Sequence, residues 1–192
     1  MRVIVTTSRR PTQRIRSFLK DFSSIFPQVI RLNRGKTTLV DLASYAVEIG
    51  AERIIVITSK RGNPSSIITY AVDVNANLTK LHRIIISGVK LSREYGGNPC
   101  PRPSKICVDI SSIKSELQEK LAEVLAKDLG FEPITSINDA PPRSIVAVIN
   151  SRARTRQFPR ETVLKFLRSK PEIACGPRLR IYKVIDYGHE KN

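Results

Sequence analysis

The sequence predicts an α/β fold made of two similar small halves. Three observations carry this: strand-like and helical stretches alternate along all 192 residues, a breaker-rich segment Tyr95–Pro103 falls mid-chain, and one strand–turn pattern occurs twice. The chain is 41% apolar, ample for a packed core at this length.

In chain order, Arg2–Thr6 reads as a short β-branched strand and Pro11 opens a helix running to about Phe26. Its apolar residues Ile15, Phe18, Leu19, Phe22, Ile25 and Phe26 share one face, with Arg16 and Lys20 on the back. Pro27 ends it. Gln28–Leu32 is a second strand, and Thr38–Ile49 is a second helix closed by Gly50. Arg53–Ser59 is a buried strand by its Ile and Val content. Ser66–Asp73 and Leu78–Leu91 form a hairpin turning at Asn75–Asn77.

Tyr95–Pro103 is read as the boundary between halves 1–95 and 104–192, the alternative being a long loop within one domain. Beyond it come a strand at Lys105–Ile110, a long helix at Ser112–Leu129, and a Pro-rich loop near Asp139–Pro142. A strand at Ile145–Ile149, a helix starting at Pro159 and a last strand at Leu179–Val184 complete the order. Val3–Thr12 can be laid on Val146–Thr155 without a gap, and Phe18-Leu19-Lys20 is echoed by Phe166-Leu167-Arg168 after a five-residue offset. Chance is the alternative to duplication. On this match the long helix precedes the repeated unit in the second half, so the element order is rotated.

The charge has the same two-part character. The net charge is +16. Residues 1–36 hold nine Lys or Arg against Asp21 alone, and residues 152–183 hold ten against Glu161 and Glu172, each a net +8. The remainder sums to zero, and its acids pair with bases at helical spacing, as in Glu116–Lys120 and Glu123–Lys127. Cations without such partners are left for solvent or a polyanion, nucleic acid before an anionic membrane.

Several classes are excluded by the same reading. The apolar runs Ile54–Ile57 and Ile84–Ile86 are too short to span a bilayer, and no signal or transit peptide is evident. Cys100, Cys107 and Cys175 make no disulfide framework or metal clip, which suits a reducing, cytoplasmic setting. His82 and His189 are far apart, and no phosphate-loop motif or paired-carboxylate spacing is present. No cofactor, metal or catalytic residue is therefore expected.

The turn Thr7-Ser8-Arg9-Arg10-Pro11 sets two guanidinium groups before a helix N-terminus, whose free N–H groups and partial positive charge also favour an anion. Ser8 and Thr12 add hydroxyls, unless they only cap the helix. Ser151-Arg152-Ala153-Arg154-Thr155-Arg156 repeats this before the expected Pro159 helix, and Arg31-Leu-Asn-Arg34-Gly-Lys36 extends the first patch. With no Trp, and with core or rim packing expected of Tyr95, Tyr182 and Tyr187, contacts to phosphates and RNA shape are expected over base reading.

The run Thr6-Thr-Ser-Arg-Arg-Pro-Thr-Gln-Arg-Ile-Arg-Ser-Phe-Leu-Lys-Asp21, followed by Arg31–Lys36, closely resembles the opening signature of Brix-domain ribosome-biogenesis proteins. Gly176-Pro-Arg-Leu-Arg-Ile-Tyr-Lys-Val-Ile-Asp-Tyr-Gly188 is similar to that family's closing motif. With no charged extensions around these motifs, the chain resembles the minimal archaeal single-domain form related to the Imp-four subgroup. The resemblance implies two α/β halves, each akin to the anticodon-binding domain of class IIa aminoacyl-tRNA synthetases. It also implies a role in ribosomal RNA processing and subunit assembly.

The combined expectation is a non-catalytic, monomeric, cytoplasmic RNA-binding factor. Its first copy would grip precursor ribosomal RNA through Arg9, Arg10, Arg14, Arg16, Arg34 and Lys36, and its second through Arg152, Arg154, Arg156, Arg178 and Arg180. Ribosomal or assembly proteins are further expected partners, with no membrane. The alternatives are a tRNA-binding or ribosome-docking module and a metal-dependent RNA-processing enzyme.

Overall fold

The computed structural model describes residues 1–153 and 160–188. Strands β1 (Val3–Thr7), β2 (Val29–Arg31), β3 (Arg53–Lys60), β4 (Asn63–Val72) and β5 (Leu78–Lys90) are followed by β6 (Ile106–Asp109), β7 (Glu132–Ile134), β8 (Ile145–Ala153), β9 (Arg160–Arg168) and β10 (Ile173–Asp186). Helices are α1 (Gln13–Ser23), α2 (Leu39–Glu48) and α3 (Glu116–Leu129). All ten strands form one sheet, in the order β2-β1-β3-β4-β5-β10-β9-β8-β6-β7.

From either end of the sheet the pairing runs parallel, parallel, antiparallel, antiparallel, and the two sets of five strands meet in the antiparallel pair β5–β10. β1 and β3 are inner strands covered on both faces, which is why both read as near-continuous β-branched runs. Thr12 caps α1 by accepting the Ile15 N–H, Thr38 and Asp41 form a capping box on α2, and Gly130 ends α3 with φ of 73°.

α1 and α3 cover one face. Their apolar stripes meet Val3, Val5, Ile55, Ile57, Ile84, Ile86, Leu164, Phe166, Leu179 and Ile181 in one core that runs across the sheet from β1 to β6. Phe18, Phe22, Phe26, Phe131 and Phe166 run through it with successive ring centroids 5.5–6.5 Å apart, linking α1 to β9. On the opposite face α2 covers Ile4, Ile54, Val56 and Ile68. A 3-10 turn at Ile137–Asp139, with Ala140, covers Cys107 and Val146 at the far end. Among the described residues, no helix covers β5, β10 and β9 on this side.

Three expectations are corrected. The helix expected from Pro159 is instead β9, whose Thr162, Leu164 and Phe166 alternate into the core while Lys165 faces away. Its apolar residues fit both periods, and pairing with β8 and β10 selects the extended one. The gapless match of Val3–Thr12 to Val146–Thr155 also fails, with the rotated order drawn from it. β1 leads into a helix, β8 pairs with a following strand, and the long helix α3 follows β6.

The cysteines are the third correction, because Cys100 and Cys175 form a disulfide with Cα atoms 4.8 Å apart. Their separation of 75 residues gave no spacing signal. They meet because the Tyr95–Pro103 segment is tied across the molecule. The Tyr95 hydroxyl donates to the Gly176 carbonyl, Gly176 N–H donates to Asn98 at 2.9 Å, and Cys100 N–H donates to Ser24 Oγ at 2.9 Å.

Closing so long a loop restricts the unfolded chain. Cys175→Ser is expected to cost about 2–5 kcal/mol, read as a lower denaturant midpoint under non-reducing conditions. Reductant should lower the wild-type midpoint by a similar amount. An unchanged midpoint in both would contradict this.

Candidate nucleic-acid interface

β1, β2 and β3 run parallel, so the connections leaving them emerge at one edge of the sheet. The first holds Ser8, Arg9 and Arg10, with both arginines exposed and Arg10 at φ 58°. The α1 first turn carries no acid to offset them. Thr12 is committed: its hydroxyl accepts from Ile15 N–H at 3.4 Å and donates to the Gly62 carbonyl at 2.9 Å.

That last bond brings the β3–β4 hairpin against the first turn. Arg61 and Gly62 have φ of 51° and 79°, the signature of a type I′ hairpin, so exposed Lys60 and Arg61 sit beside Arg9 and Arg10. Counting charge by segment passes over these cations, because they lie in the charge-neutral remainder. The end of β2 adds exposed Arg31, and the connection to α2 adds exposed Lys36. Half-buried Arg34 is partly occupied, its Nε donating to the Thr37 carbonyl at 3.1 Å.

Arg14 and Arg16 part company. Arg16 is exposed on the outer side of α1. Arg14 forks onto Glu94 through both terminal nitrogens and donates to the Val89 carbonyl at 3.2 Å, fastening α1 to the end of β5. Hydrogen bonding to Arg14 holds the Glu94 carboxyl below its ordinary range, and the same bonding raises the Arg14 guanidinium.

The uncovered face over the β5–β10 seam holds a second group of cations. Lys90 on β5 lies directly opposite Arg178 on β10, and Lys165 on β9 lies opposite the irregularity between Cys175 and Leu179. Arg180 follows, opposite Gly88 and Val163. With Asn150 they line a groove of about 770 Å³. Arg178 is held over the Tyr95 ring with its Cζ 3.8 Å from the centroid. A Cβ at Gly88 would fall 2.1 Å from the Arg180 guanidinium, so glycine makes room for that side chain. Arg180 Nε also lies 3.7 Å from Glu161, the one carboxylate seen against this row among the described residues.

The structure thus brings Arg178 and Arg180 together with Lys90 and Lys165, and Arg9, Arg10 and Lys36 with Lys60 and Arg61 at the edge. Lys90 was missed for the same reason as Lys60. Arg152 lies in β8, whereas Arg154 and Arg156 fall outside the described residues. The helix N-terminus expected beyond them is replaced by β9, so that part of the anion-site reading is withdrawn.

One buried polar cluster was not foreseen. Asp128 on α3, 3% exposed, accepts from the Thr69 hydroxyl and lies 2.8 Å from His82 Nδ1, while His82 Nε2 is 3.5 Å from Asp186. Thr69 bonds to the carboxylate rather than to the imidazole, so there is no nucleophile–base relay; the cluster fixes α3 onto β4 and β5. Among the described residues no group of three or more His, Cys, Asp or Glu side chains is arranged to hold a metal ion. No helix there is long and apolar enough to cross a membrane.

The Arg14–Glu94 fork should show a pH-dependent coupling. Glu94 is the depressed partner, so its stabilisation is full above the unfolded value of about 4.3 and is lost as pH falls through the lower folded value. A double-mutant cycle with Arg14→Ala and Glu94→Ala is expected to give favourable coupling at neutral pH that fades in acid. Coupling that persists below both values would contradict it.

No family model matches the chain. A probable Brix domain-containing ribosomal biogenesis protein of Aeropyrum pernix is 46% identical over 105 residues, 54% of this chain and 58% of that relative. The protein so named in Pyrococcus furiosus is 30% identical over 176 residues, 86% of this chain and 76% of the relative. Among solved structures, a probable ribosomal biogenesis protein from Aeropyrum pernix K1 superposes with a TM-score of 0.78 at 33% identity, covering 95% of this chain and 96% of that one. Mil, an archaeal Imp4-like protein, shares the fold with a TM-score of 0.65 at 21% identity, over 95% and 99% of the two chains. The matching fold and the near-full-length alignments lead to one assignment: the chain belongs to the Brix domain-containing ribosomal biogenesis proteins.

Proposed function

We propose that this chain is a non-catalytic factor in ribosomal RNA processing and subunit assembly that acts by holding precursor ribosomal RNA. The observation that carries the reading is the set of cations along one sheet edge and over the seam, where the nearby acids Asp41, Glu94 and Glu161 are already engaged in a helix cap and ion pairs. Family membership supplies the ribosomal setting.

Phosphates are gripped at the edge by Arg9, Arg10, Arg16, Arg34 and Lys36, joined by Lys60 and Arg61. Arg178 and Arg180 act at the seam. Arg152, Arg154 and Arg156 remain in the proposal from sequence. Arg14 serves to fix α1 and contributes little directly. The protein works as a cytoplasmic monomer that positions RNA–RNA and RNA–protein contacts, with ribosomal or assembly proteins as further partners. The repeated pairing order supports a duplicated unit with halves 1–95 and 104–192, each akin to the anticodon-binding domain of class IIa aminoacyl-tRNA synthetases.

Binding of a ribosomal RNA fragment, followed by fluorescence anisotropy across a salt series, tests this. With about six to ten phosphate contacts, affinity should fall by about three to five decades between about 50 and 200 mM salt. Arg9→Ala with Arg10→Ala should weaken all RNA sequences alike and lower the salt slope by about 2, one unit per lost contact. A flat salt response would sink the reading, and equal or stronger competition by tRNA would move it to a tRNA-binding module.

A further inference from the structure

We infer that the uncovered face over the β5–β10 seam is a binding site for an unpaired RNA strand. The inference rests on the RNA-binding reading above and adds which form of RNA this face takes.

The first argument is electrostatic. Lys90 and Arg178 are directly opposed on neighbouring antiparallel strands, with Cα atoms about 5 Å apart, and Lys165 continues the row onto the next strand. Like charges so placed repel each other and cost stability. Glu161 meets Arg180 at the row's far end and leaves Lys90, Arg178 and Lys165 without a carboxylate partner among the described contacts. A chain of phosphates laid across the row would remove that repulsion, and Asn150 offers further hydrogen bonds.

The second argument is shape. The face is bounded by α2 over β1, β3 and β4 on one side and by the Ile137–Asp139 turn over β6 and β8 on the other. β5, β10 and β9, with the Asn150 end of β8, lie open between them, a strip about 15 Å wide from the spacing of neighbouring strands. One strand of nucleic acid fits such a strip; a double helix would rest on its rims.

The third argument is the surface offered to bases. Tyr182 is 69% exposed on β10, at the irregularity between Ile181 and Lys183 that turns both Tyr182 and Lys183 away from the core. Arg178 is pre-stacked on Tyr95, so little of its freedom remains to be lost on binding. Cations tracking a backbone beside an exposed aromatic ring make the recurrent arrangement for single-stranded nucleic acid. An acidic peptide matches the charge and leaves Tyr182 without a role.

The test compares a labelled unpaired RNA of about ten nucleotides with a blunt RNA duplex of the same length, at one salt concentration. Wild type should bind the single strand about tenfold or more tightly than the duplex. Lys90→Ala with Lys165→Ala should weaken the single strand by about tenfold or more and leave duplex binding, held at the Arg9–Arg10 edge, within about twofold. Tyr182→Ala should weaken the single strand by about five- to hundredfold without changing its salt slope, because stacking carries no charge. Lys90 and Tyr182 are exposed and Lys165 is half-buried, and thermal melting checks that the variants fold. Equal binding of both forms, an unaffected Tyr182→Ala variant, or tighter binding of polyglutamate would overturn the inference while RNA binding stands. Loss of all RNA binding by the wild type would instead overturn the functional reading beneath it.

Discussion

The antiparallel pairing of β5 with β10 is the constraint on which the rest depends. It joins two sets of five strands into a single sheet, so one core under α1 and α3 can run from Phe18 to Phe166 without a break. It sets Lys90 against Arg178 and Gly88 against Arg180. The Cys100–Cys175 bridge and the Tyr95 hydroxyl bond to Gly176 both anchor the crossing segment at the start of β10, beside the same seam. Stability and the charged face therefore share one structural origin. A change that slipped this register by one residue would turn Leu179 and Ile181 outward and Arg180 into the core.

Within that frame the chain uses its cations in two ways. Arg14 spends its guanidinium on Glu94 and Val89, and Lys120 and Lys127 pair with Glu116 and Glu123 along α3. Such groups shape or solvate the fold. Arg9, Arg10, Lys36, Lys60, Arg61 and Lys90 are exposed at turns or strand ends. The distinction lies in contacts, which a net charge of +16 does not reveal.

Much of the fold was legible. Helix caps, the Phe-rich face of α1, the β-branched inner strands and the Asn75–Asn77 turn are local signals, and the structure places α1, α2, α3 and β1 to β6 within a few residues of the sequence reading. What escaped was set at long range. Arg160–Arg168 carries an apolar pattern that serves either period, and only its neighbours β8 and β10 decide it. The disulfide joins residues that no spacing rule connects. The apparent repeat rested on V-x-V strands that recur in any sheet, and it paired β1 with a strand of different neighbours. For the candidate site, counting charges by segment singled out Arg9, Arg10, Arg178 and Arg180. It discarded Lys60, Arg61 and Lys90, whose local charge is balanced in sequence while the fold moves them beside the excess.

The central claim is that RNA lies on the seam face and the adjoining edge rather than on the helical face. Ultraviolet crosslinking of a bound ribosomal RNA fragment, with the crosslinked peptides identified by mass spectrometry, tests it most directly. The account predicts crosslinks concentrated in the Arg9–Arg10 turn, the Lys60–Arg61 hairpin, and the β5 and β10 stretches carrying Lys90, Arg178 and Tyr182. Crosslinks concentrated instead on the exposed side of α3, around Lys120 and Lys127, would contradict it.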